Sequence, residues 1–96
     1  GENQSNNIQI LKNVQHVDNG YYLVLAVHTE VIKRNNFIIQ VVASGRSNVD
    51  FFYDVNTSKY YIYYDKFENI EDANRALELK GSRPYNQQLS LVKIEN

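Results

Sequence analysis

With 96 residues and 11.2 kDa, the chain has room for one domain around one hydrophobic core, and none for a second lobe with a cleft between. A net charge of −1 supplies no global positive field for nucleic acid or anionic lipid, and the absence of cysteine excludes disulfides, thiolate metal sites and cysteine nucleophiles. The apolar fraction of 43% is ordinary, whereas eight Tyr and four Phe beside no Trp and no Met are not.

Residues 1–19 read as a polar lead or linker, with or without a short extra strand in front of the domain. Gly1 to Asn7 is amide-rich and expected to be disordered, while Ile8, Ile10 and Val14 alternate with Gln9, Leu11 and Asn13 as a weak strand signal. Asp18-Asn19-Gly20 is a turn that either folds this segment back as a hairpin or simply starts the domain of residues 20–96. The run Tyr21 to Val27 is uninterrupted and apolar, which suits a mid-sheet strand buried on both sides. Thr29 with Glu30 is a helix start, and Gly45 stands where a left-handed cap ends one. The spacing predicts a helix over 30–44, although Phe37 to Val42 is rich in residues that favour strands. Residues 49–55 alternate as a half-buried strand, with Phe51 and Tyr53 toward the core. Asn56 to Lys59 form a hairpin loop, and residues 60–66 the return strand. A helix over 70–80 is capped by Asn69 and closed by Lys80-Gly81, and a strand over 89–94 ends the chain. The order β-α-β-β-α-β predicts an α+β, ferredoxin-like split sandwich: an antiparallel four-stranded sheet with both helices on one face and the other face open. Leu23, Leu25, Phe51, Tyr53, Phe67, Ala73, Leu77 and Leu91 are the expected core.

No catalytic constellation is visible. His16 and His28 have no second ligand at a metal-binding spacing, His28 reads as a solvent-facing strand end, and no phosphate loop or nucleophile elbow occurs. The carboxylates around residues 68–72 are accounted for by helix capping. Neither an enzyme, a metal nor a cofactor is expected. The apolar runs are too short to span a bilayer, so no direct membrane insertion is expected.

The aromatic residues are informative through the strand pleat. With Leu23 and Leu25 turned to the helices, Tyr22, Val24 and Ala26 face the open side, joined by Phe52, Tyr61 and Tyr63. Tyr22, Phe52, Tyr61 and Tyr63 then form a platform on three adjacent strands, or else serve as strand-favouring residues covered by the leading segment or by Tyr85.

Gly20-Tyr-Tyr-Leu-Val-Leu-Ala-Val27, Phe52-Tyr-Asp-Val-Asn56 and Tyr60-Tyr-Ile-Tyr-Tyr-Asp-Lys-Phe67 followed by Ile70-Glu-Asp-Ala73 resemble, in order and spacing, the SPOR (sporulation-related repeat) domain. The likeness is to its tyrosine-rich variant, as in Bacteroidetes envelope proteins. The resemblance covers residues 20–94 and implies a non-catalytic bacterial envelope module in the periplasm, binding peptidoglycan glycan strands through the open sheet face. Tyr22, Val24, Phe52, Tyr61 and Tyr63, the residues that the pleat turns to that face, are the candidate glycan- or partner-binding residues. The chain departs from the family where a glycan-facing Gln is replaced by Val24, and an outward Arg by Tyr61. Those apolar replacements suit a protein partner, so the alternative is a protein-interaction domain of the same fold in an envelope assembly such as a secretion or gliding machine. RNA binding lacks a basic surround, with 10 Lys and Arg against 11 acidic residues.

Overall fold

The computed structural model describes residues 8–96, so the expectation of disorder over residues 1–7 lies outside the described residues. Five strands and two helices follow in the order β1 (Gln9–Leu11), β2 (Gly20–His28), α1 (Val31–Ala43), β3 (Asp50–Asp54), β4 (Lys59–Phe67), α2 (Ile70–Glu78) and β5 (Ser90–Ile94), with a short 3₁₀ turn at Asn86–Gln88. The sheet runs β1-β5-β2-β4-β3. Pairing is antiparallel between β2 and β4, β2 and β5, and β3 and β4, but β1 joins β5 in parallel. The fold is therefore α+β with a mixed five-stranded sheet, not the four-stranded antiparallel sheet expected. Residues Gln9–Leu11 supply the extra strand, paired with β5.

The uninterrupted apolar run becomes the middle strand, flanked by partners on both sides, and Leu23, Val24 and Leu25 are almost fully buried. Its register against β4 shifts around Val24 to Ala26. The extra residue of a bulge turns the strand over, so Ala26 pairs with Ile62 rather than continuing the Tyr22–Val24 row, and does not face the side expected.

Both helices cover one face. Val41 of α1 and Ala73 of α2 close over Leu23, Leu25, Leu89 and Leu91, with Phe37, Phe67, Leu77 and Tyr85 packed around them. Each fully buried leucine contributes roughly 1.5–3 kcal/mol. The strand-favouring sequence of α1 is helical because its ends and its stripe agree. Gly45, at φ +108°, donates to Val42 O while Arg46 N–H donates to Val41 O, a Schellman closure that satisfies the last carbonyls. At the other end Glu30, not Thr29, takes the cap position and offers no side-chain hydrogen bond. Asn69 does cap α2, accepting from Asp72 N–H at 2.9 Å. Phe67 and Leu77 are half-buried rather than buried, at the margin of this core.

Beyond α1 the chain is held by a buried arginine. Arg46 is 4% exposed, lies 4.2 Å over the Tyr64 ring and donates from Nη2 to Asn86 Oδ1, while Asn86 donates in turn to Lys80 O. This chain of contacts fixes the loop around Pro84, in which Tyr85 takes a left-handed backbone and sets its ring 5.3 Å from Phe37.

Candidate functional site

Tyr22, Phe52, Tyr61 and Tyr63 do share the face opposite the helices, and they meet there. Phe52 stacks on Tyr61 at 5.1 Å and 12°, Tyr22 meets Tyr63 edge-on at 4.8 Å, and Tyr22 meets Phe52 edge-on at 5.2 Å. Aromatic pairs in these geometries contribute about 0.5–1.5 kcal/mol each beyond area burial. Val24 lies in the same cluster.

The face is not open. Tyr61 is 1% exposed, Val24 1%, Tyr22 3% and Phe52 6%, and only Tyr63 keeps partial exposure. Leu11, Val14 and Val17 cover the rings, and Val92 and Ile94 of β5 complete a second core. Hydrogen bonds hold that cover in place. Asn96 receives Val14 N–H at 2.9 Å and donates to Val14 O and Val17 O, and Asn56 Nδ2 reaches Lys12 O and Asn13 O at 3.2 Å. Tyr22 donates to Asp18 O at 2.7 Å, and Tyr61 accepts from Gln9 Nε2 at 3.2 Å. Within β1 the alternation is opposite to the apolar reading: Leu11 is buried, while Ile10 is 52% exposed at the sheet margin.

Burial has an electrostatic consequence. The Tyr22 phenol is pushed up to about 12 by loss of water first, then by Tyr63, Asp18 and Glu68. Tyr63 is raised in the same way, by burial and then by Asp50 and Asp18. These rings are neutral hydrogen-bonding groups at any ordinary pH.

The exposed aromatic surface lies elsewhere, along β3. Phe51 and Tyr53 were expected in the core and are instead 36% and 40% exposed, with Val55 at 56%. They point to the helix side, as the alternation says, but β3 is the last strand of the sheet and the helix-side core does not include them. Arg34 of α1 fills the gap, its guanidinium 4.2 Å over Phe51 and 4.6 Å over Tyr60. On the other side of the strand Val17, His16 and Gln15 border Phe52, and together with Phe51, Tyr53 and Val55 they line a groove of about 490 Å³. Arg34, Tyr60 and this edge carried no sequence signal beyond the order of the strands, which places the strand after α1 at a margin.

No cluster of three or more His, Cys, Asp or Glu side chains that could hold a metal ion occurs among the described residues. His28 is half-buried rather than solvent-facing, its ring 5.6 Å from Phe37 and its Nε2 without a partner among the described residues. No helix among the described residues is long and apolar enough to cross a membrane. Compared with protein-family models, curated proteins and solved structures, the chain matches none.

Proposed function

We propose that the chain is a non-catalytic protein-interaction module, built on a ferredoxin-like unit of β2 to β5 and both helices, with β1 added at the β5 edge. The SPOR resemblance would place such a module in the bacterial envelope. The observation that carries the protein reading is the closure of the aromatic face: with Tyr61 1% exposed beneath Val14, no sugar ring can stack there unless residues 11–17 leave. What remains for a partner is the exposed set Phe51, Tyr53 and Val55 beside the groove, and aromatic residues of this kind dominate protein interfaces. Glycan binding on the inner face, the function the resemblance implies, is the competing outcome.

Two measurements decide between them. The chain is sedimented with purified peptidoglycan sacculi, with and without amidase treatment, and is expected to stay in the supernatant. A photo-crosslinking amino acid at Tyr53 is expected to give discrete protein adducts in cells, and the same probe at exposed Glu71 on α2 none. Co-sedimentation of the folded chain, with no adduct at Tyr53, would overturn the protein reading in favour of glycan.

A further inference from the structure

The groove has a backbone wall as well as apolar side chains. β3 pairs with β4 on its inner edge and with nothing among the described residues on its outer edge. Phe51 N–H donates to its neighbour's carboxylate, Asp50 Oδ1, at 2.7 Å, so this amide is free of the β4 ladder. In an antiparallel pair the hydrogen-bonding groups of alternate residues turn to opposite edges, which sends the Tyr53 amide and carbonyl the same way. Free edges are commonly blunted by proline, by lysine or by a bulge, and Asp50–Asp54 carries none of these.

Charge is distributed unevenly across the edge. Asp50 stands at the start of β3 on the Phe52 side, and Asp18 follows Val17 on the wall of the groove. Both are exposed, and neither forms a salt bridge among the described residues. Asp50 precedes Phe51 and pairs opposite Tyr63, and Asp18 adjoins Val17, so each carboxylate is one residue from the groove lining. The other side of the strand carries Arg34, already seated over Phe51 and Tyr60.

Resting on the protein-binding reading above, we infer that the outer edge of β3 accepts an extended segment of a partner protein as a sixth strand, apolar toward Phe51 and Tyr53 and basic toward Asp50 and Asp18. Main-chain hydrogen bonds to residues 51 and 53 supply the docking, and the alternating pockets supply the choice of sequence. A second copy of the chain fits poorly. An antiparallel β3–β3 pairing centred on Phe52 sets Asp50 against Asp54 at both ends, and like charges directly opposite are destabilising.

Short random peptides displayed on phage, selected on the full chain, test this. Enriched peptides are expected to alternate apolar and polar residues and to carry Lys or Arg on the polar side. Synthesised, they should shift the backbone amide resonances of Phe51, Tyr53 and Val55. Asp50→Lys, an exposed change, should weaken them about tenfold or more, and Tyr53→Pro should abolish binding by removing an edge donor. Retained binding by Asp50→Lys, peptides without the alternating basic pattern, no enrichment at all, or a concentration-dependent dimer broken by Tyr53→Pro would each overturn the inference. Peptides that bind but shift resonances elsewhere overturn the β3 edge and leave the protein reading standing, whereas sacculus binding by the folded chain overturns that reading itself.

Discussion

Replacing Tyr61 by alanine distinguishes a sealed aromatic layer from an open platform. The side chain is 1% exposed, its ring stacks on Phe52 at 5.1 Å, and its hydroxyl accepts a long hydrogen bond from Gln9 at 3.2 Å. Truncating a buried aromatic residue to alanine costs about 3–5 kcal/mol, through lost transfer energy and the cavity left behind. The stacked pair falls within that figure, and the hydroxyl accounts for at most about 1 kcal/mol of it, which Tyr61→Phe isolates. For a domain of this size a loss near 4 kcal/mol lowers Tm by on the order of 20 °C, a large share of total stability. Tyr53→Ala is the internal control: at 40% exposure on the same hairpin it should cost about 1 kcal/mol. Urea unfolding followed by circular dichroism gives both values. Equal costs for the two, or a loss below about 1 kcal/mol for Tyr61→Ala, would show that residues 11–17 do not close over the face.

The remaining predictions follow from the cover, the buried arginine and the phenols. Asn96→Ala removes the hydrogen bonds to Val14 and Val17 and should cost about 1–2 kcal/mol, with faster hydrogen exchange at the Val14 amide as its local signature. Arg46→Ala should destabilise by about 2–4 kcal/mol, since it empties the space over Tyr64 and leaves buried Asn86 short of a partner; a change near zero in a melting experiment would show that Arg46 does not hold the Pro84 loop. Tyr22 and Tyr63 ionise less readily folded than unfolded, so stability should be flat up to the ordinary phenol value of 10 and fall as pH rises toward 12. Ultraviolet phenolate titration should show a late step that Tyr22→Phe removes.

Local pattern located every strand and both helices after Gly20 to within two residues or so at either end, because each has its own punctuation: the Gly45 closure, the Asn69 cap, the turn after Asp54. Alternation also sorted Tyr22, Phe52, Tyr61 and Tyr63 onto one face. Pattern left open whether that face is a bare platform or is covered by the leading segment, and the structure shows the cover. The cover is Leu11, Val14 and Val17, spaced three apart in a segment that is neither helix nor strand for most of its length, and fixed by Asn56 and Asn96 from far along the chain. Phe51 and Tyr53 were misplaced for a related reason. Pleat direction is a local property, whereas burial depends on how far α1 reaches across the sheet. The bulge near Leu25 carries no mark in Leu-Ala-Val, and it alone moved Ala26 off the aromatic row.

The bond between Asn96 and the Val14–Val17 loop joins residues as much as 82 positions apart. On the ribosome this has a definite order. Tyr22, Phe52 and Tyr61 emerge ahead of β5, and β1 has no strand to lie beside until Val92 to Ile94 leave the exit tunnel. Throughout that interval the nascent sheet presents a wet, four-ring aromatic surface flanked by unpaired edges, the features that draw chaperones and misassociation. Closing of the second core thus waits for β5. A chain cut before Ser90 should leave the tyrosine side bare, since β1 then has no strand to join.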